Sequence, residues 1–96
     1  MKQILILLVL LSVETVFAQD KTLALATACA ACHGSNGVSA NPLWPNLAGQ
    51  KAEYLAKQMR DFKAGRRQDP LMSPMAQTVA DADIDKLAQH FANIKP

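Results

Sequence analysis

Apolar residues recur at helical spacing in three separate parts of the chain. Between positions 50 and 64, Tyr54, Leu55, Gln58, Met59 and Phe62 fall on one face. Gly65 follows, where a C-terminal cap belongs. Between 81 and 94, Ile84, Leu87, Ala88 and Phe91 form a second stripe. Asp81, Asp83 and Asp85 crowd its start, where carboxylates cap a helix and oppose its dipole. A third helix is predicted over 20–32, rich in Ala and Leu, with Leu25, Ala28, Cys29 and Cys32 on one face. Gly34 to Gly37 then supply the backbone freedom of a tight turn. Segments 38–49 and 66–71 are broken by Pro42, Pro45, Gly49 and Pro70, and are predicted loops. Ser73-Pro74 reads as a cap followed by proline at the first helical position, opening a short helix to about Val79. No strand pattern and no internal repeat is present. The prediction is all-α: three main helices, a short one, and long loops.

The first eighteen residues do not belong to that pattern. Lys2 precedes an apolar run from Ile4 to Val13, and Val16-Phe17-Ala18 follows. This is the grammar of a secretory signal peptide, 1–18, cleaved between Ala18 and Gln19. The alternative is an uncleaved anchor. The run is about ten residues, against the roughly twenty that a membrane span needs, and Glu14 interrupts it. Cleavage implies a periplasmic protein with no transmembrane segment left. Of 96 residues, 78 remain, enough for one domain over 19–96. Chains this small usually need a staple to complete their core.

Charge adds one feature. The exported part carries nine Lys and Arg against seven Asp and Glu, a weak balance that argues against nucleic acid as a partner. Lys51 to Arg67 holds six bases and two acids, whereas Asp69 to Asp85 holds four acids and no base. Such runs are ordinarily solvated faces. They could also form a dipole that orients docking.

The chemistry sits in Cys29-Ala30-Ala31-Cys32-His33, which reads C-x-x-C-H, the attachment signature of a c-type haem. On a helix, residues three and four apart share a face. Both sulfurs can therefore meet the two vinyl groups along one porphyrin edge, with His33 placed to reach the iron. A covalently held haem would be the centre of the core, and export suits it. A thioredoxin-like pair would want a βαβ setting. A zinc site would want four ligands, and beyond this motif only His90 is to hand. A disulfide would close too small a loop to stabilise much.

A second axial ligand is sought among the methionines. Met1 leaves with the signal, and Met59 lies on the apolar face of a helix, where methionine is core filler. Met72 falls in the irregular stretch after Pro70, where a loop can bring a thioether over the haem. Met75 falls inside the short helix and is the alternative. Trp44 reads as apolar packing in the proline loop, plausibly near the haem edge. Tyr54 and Arg60 are candidates for the haem propionates or plain surface residues. His90 reads as a partly exposed helix residue rather than a haem ligand.

Taken together, these blocks resemble a class I bacterial cytochrome c of the c-553 kind, similar also to one half of a dihaem cytochrome c-4. The carriers are Cys-Ala-Ala-Cys-His-Gly at 29–34, Pro-Asn-Leu-Ala-Gly-Gln at 45–50, Tyr-Leu-Ala-Lys-Gln-Met at 54–59, Asp-Phe-Lys-Ala-Gly-Arg-Arg at 61–67 and Leu-Met-Ser-Pro-Met-Ala at 71–76. The resemblance implies a class I cytochrome c fold around one covalently bound haem, with the first and last helices meeting near Leu25 and Phe91. It implies that the Pro45 carbonyl accepts a hydrogen bond from His33, and it agrees with Met72 as the distal ligand. Three departures stand out. No glycine precedes the first helix in 20–28. Ala80 replaces the usual serine cap, leaving Asp81 or Thr78 to cap the last helix. His90 replaces an aromatic residue.

The implied function is a one-electron carrier rather than an enzyme. It would run between a quinol-oxidising complex and an oxidase or reductase. The alternative is a haem subunit of a periplasmic oxidoreductase such as a dehydrogenase.

Overall fold

The structure, a computed structural model, describes residues 21–96. The expected signal peptide and its junction at Ala18–Gln19 lie outside them. Helix α1 covers 21–33, α2 is Ala52–Ala64, α3 is Met72–Gln77 and α4 is Asp81–Ala92. The described residues hold no strand, and no helix among them is long and apolar enough to cross a membrane.

The predicted stripes become the core. Leu55 and Ala56 of α2 pack with Ile84, Leu87, Ala88 and Phe91 of α4, and Ala26 of α1 and Val79 join them. Leu25 and Cys29 of α1 lie against the same cluster, so the first and last helices share one core as expected. Ile84 is fully buried. Phe62 is buried too, and the Arg67 guanidinium stands 4.5 Å over its ring. Gly65 ends α2 in the left-handed conformation, with its N–H donating to the Phe62 carbonyl.

Two helix starts differ from the prediction. Helix α3 begins at Met72, one residue before the predicted cap at Ser73. Asp69 does the capping, because its carboxylate accepts the amide protons of Leu71 and Met72 at 2.9 and 2.8 Å. Pro74 then falls within the first turn, where a missing N–H costs nothing. Met72 is therefore helical rather than part of a loop. The N-cap of α4 is Ala80, with no side-chain cap. Neither candidate serves there: the Asp81 carboxylate turns to Arg60, and the Thr78 hydroxyl donates to the Met75 carbonyl.

The opposite charge runs meet through Arg60, while Asp81 and Asp85 stay well exposed. Arg60 of α2 forks onto both Asp85 carboxylate oxygens at 3.0 and 3.1 Å, and its Nε reaches Asp81 at 2.9 Å. Lys21 pairs with Asp83 at 3.1 Å, and Asp61 takes both Lys57 and Arg66. Arg60 is thus the base of that run that clamps α2 to α4.

Hydrogen bonds from Arg60 hold the Asp85 carboxyl below its ordinary 3.8. A depressed carboxylate contributes stability that is present above its unfolded value and is lost as pH falls through the folded one. Arg60→Gln should lower stability at about pH 7, and its gap to the parent should narrow towards about pH 3. Asp85 is well exposed, so the effect is small. Denaturant midpoints at both pH values check this, and a gap that stays constant or widens would contradict it.

Candidate functional site

The last turn of α1 delivers Cys29, Cys32 and His33 together. Cys29 is half-buried against the core, Cys32 is exposed, and His33 is 7% exposed. The chain then reverses. The Gly34 N–H donates to the Ala30 carbonyl at 2.9 Å, and Gly34 takes a φ of 94°. A Cβ there would lie 2.0 Å from the Val38 carbonyl oxygen, so only glycine fits.

The loop that follows is closed at its neck. The Gly37 carbonyl accepts from Leu47 and Ala48 at 2.8 and 3.0 Å. Asparagines brace the inside, with Asn46 accepting from the Ser39 amide and Asn41 from the Leu43 amide. This closure carries the Pro45 carbonyl to 2.8 Å from His33 Nδ1. A carbonyl oxygen only accepts, so Nδ1 carries a proton, and in the neutral ring Nε2 keeps a free lone pair. That is the tautomer a metal-binding imidazole needs.

His33 opens onto a cleft of about 280 Å³. Leu55, Val79, Ile84, Leu87 and Phe91 give it an apolar floor. Cys29, Cys32 and His33 line it from α1, and Trp44 and Pro45 from the loop. Tyr54, Gln58 and Met59 contribute from α2, and Met72 and Met75 from α3. Met72 is half-buried, whereas Met75 is 40% exposed, with its sulfur 3.9 Å from the Thr78 hydroxyl.

The sequence candidates therefore divide. The two cysteines, His33, Pro45, Trp44, Tyr54 and both methionines share one cleft. Arg60 does not line it and is engaged by Asp81 and Asp85. His90 also lies outside, with its ring edge-on to Phe91. Sequence reasoning missed Arg67 and Asp69, which do line the cleft. Arg67 stacks on Phe62 and donates to Gln58 Oε1. Its place depends on the left-handed turn at Gly65, which periodicity does not convey.

The residues fit a haem. Two thiols and a correctly protonated imidazole stand on one wall of an apolar cleft, and thioethers stand on another. Burial pushes the Cys29 thiol above its ordinary value. Among the described residues, no group of three or more His, Cys, Asp or Glu is placed to share a metal ion. These features define a small helical haem-attachment domain.

Comparison with known proteins gives the same class. The family profile described as Cytochrome c matches residues 18–95. Cytochrome c4 of Thiocapsa roseopersicina is 48% identical over 64 residues, covering 67% of this chain and 33% of that protein. Cytochrome c-554(548) of Halomonas halodenitrificans is 40% identical over 68 residues, covering 68% of this chain and 82% of that one. The crystal structure of reduced cytochrome c4 from Pseudomonas stutzeri superposes with a TM-score of 0.65 at 37% identity, over 70% of this chain and 38% of that one. A thiosulfate dehydrogenase from Marichromatium purpuratum gives a TM-score of 0.66 at 36% identity, over 71% of this chain and 15% of that one. The chain thus spans about a third of the Thiocapsa protein and most of the Halomonas one.

The chain belongs to the cytochrome c family, with the class I fold. Its cofactor is haem c, covalently attached, one for this single domain.

Gly34→Ala should be the most damaging small change near the site. Left-handed strain of about 1–3 kcal/mol adds to a clash with backbone. Gly65→Ala is the control, since its Cβ would meet nothing within 4 Å and only the strain remains. Urea midpoints of the two holoproteins should rank Gly34→Ala well below Gly65→Ala. Equal losses would show that the turn at Gly34 tolerates a side chain.

Proposed function

We propose that this chain is a periplasmic one-electron carrier. The observation that supports it best is the 2.8 Å hydrogen bond from His33 Nδ1 to the Pro45 carbonyl, in a cleft that Met72 also lines. On this reading Cys29 and Cys32 hold the haem as thioethers, His33 Nε2 is the proximal ligand and Met72 the distal one. Bound haem supplies a one-electron couple. The chain's own residues do the rest. His33 is fixed in orientation by Pro45, so it would hold the iron with its ring direction already set. Met72 would supply the second ligand to the iron, which would favour the reduced state and leave no site for substrate. The apolar floor would keep water from a bound haem.

Met72 is favoured over Met75 on two grounds. It is less exposed, and Asp69 fixes its backbone. Export by the signal 1–18 would place the protein where c-type haem is attached and where its partners operate. Those partners are a quinol-oxidising complex and a terminal oxidase or reductase. The second reading is a haem c subunit of a periplasmic oxidoreductase. It is favoured by the structural likeness to part of a thiosulfate dehydrogenase.

Met72→Ala should abolish the weak sulfur-to-iron band at the red end of the oxidised spectrum and lower the potential. Met75→Ala should keep the band. Loss of the band in Met75→Ala alone would transfer the role to Met75, and its persistence in both variants would reject methionine ligation by α3.

A further inference from the structure

Helix α3 has only six residues, far below the length at which a helix holds itself together. Its two ends are secured differently. At the C-terminal end, Gln77 Nε2 donates to the Lys63 carbonyl at 2.7 Å and Lys63 Nζ donates to the Val79 carbonyl, tying it to α2. At the N-terminal end the bonds are local and centre on Asp69. Its Oδ2 accepts from the amides of Leu71 and Met72. Its own amide donates to Ser73 Oγ at 2.9 Å, and its carbonyl accepts from the Ser73 amide at 3.0 Å. The Asp69 carboxylate caps the first amides of the helix and the Ser73 hydroxyl accepts from the Asp69 amide, with the ionised acceptor the stronger of the two.

We propose that Asp69, with Ser73, is the positioning residue that holds Met72 on the haem iron. The inference rests on the assignment of Met72 as distal ligand. Met72 is the first residue of α3, the place where a short helix frays first. Its side chain has three rotatable bonds and cannot hold a direction by itself. Clamping its amide fixes the Cα–Cβ vector from which the thioether must reach. Without the clamp, the first turn opens and the sulfur leaves the iron more often, while the core formed by α1, α2 and α4 is untouched.

The test is competition by exogenous imidazole for the distal position of the oxidised holoprotein, read by loss of the sulfur-to-iron band. Far-UV thermal melts are taken in parallel. Asp69→Ala should bind imidazole about fivefold more tightly, the scale of one lost cap. Asp69→Asn keeps an acceptor in the same place and should return to within about twofold of the parent. Ser73→Ala should lie between, and it carries the test if Asp69→Ala does not accumulate as holoprotein. Unchanged imidazole affinity in Asp69→Ala and Ser73→Ala would overturn the inference. So would an Asp69→Asn variant that binds imidazole as tightly as Asp69→Ala. Met72→Ala separates the two claims. If it abolishes the band while the Asp69 and Ser73 variants behave as the parent, the clamp alone fails. If it keeps the band, the ligand assignment fails and the clamp with it.

Discussion

The hydrogen bond from His33 Nδ1 to the Pro45 carbonyl is the contact on which the rest of the site depends. It chooses the tautomer of a buried imidazole and fixes its plane. Its two partners are twelve residues apart, on a helix end and in a loop. They meet because Gly34 reverses the chain and Gly37 gathers the returning backbone amides of Leu47 and Ala48. The loop is tied into the core beyond that point, where the Gly49 amide donates to the Phe91 carbonyl. The orientation of one ring is thus linked to the packing of the last helix.

A second constraint is size. Among the described residues the buried apolar side chains are few, and several are alanines. The same side chains that pack α2 against α4, such as Leu55, Ile84, Leu87 and Phe91, also floor the cleft. The protein core is one layer that ends at the haem site. A covalently held apolar plate completes it, as a staple does in other small domains. The ion pairs of Arg60, Lys21 and Asp61 then act at the rim, where solvent limits what each contributes.

What was legible in the sequence was local or periodic. The stripes of α2 and α4, the cap at Gly65 and the C-x-x-C-H face follow from spacing alone. Side-chain reach between elements did not. Arg60 and Arg67 are both arginines on or just after α2, yet only Arg67 lines the cleft. The difference lies in the turn after Gly65 and in two aspartates on α4 that claim Arg60. Ser73 before Pro74 resembled a cap, but Asp69 reaches the amides first and moves the start of α3 to Met72. The pairing of Arg60 across α2 and α4 is likewise a tertiary fact that the charge runs do not convey.

The central proposal is that His33 and Met72 would fill both axial positions of the iron, which would make this chain a carrier rather than a catalyst. Exposure of the reduced holoprotein to carbon monoxide at neutral pH tests this directly. With His33 and Met72 in place, the visible spectrum should remain that of the reduced protein. Rapid, stoichiometric conversion to a carbon monoxide adduct would show an open position and contradict the account.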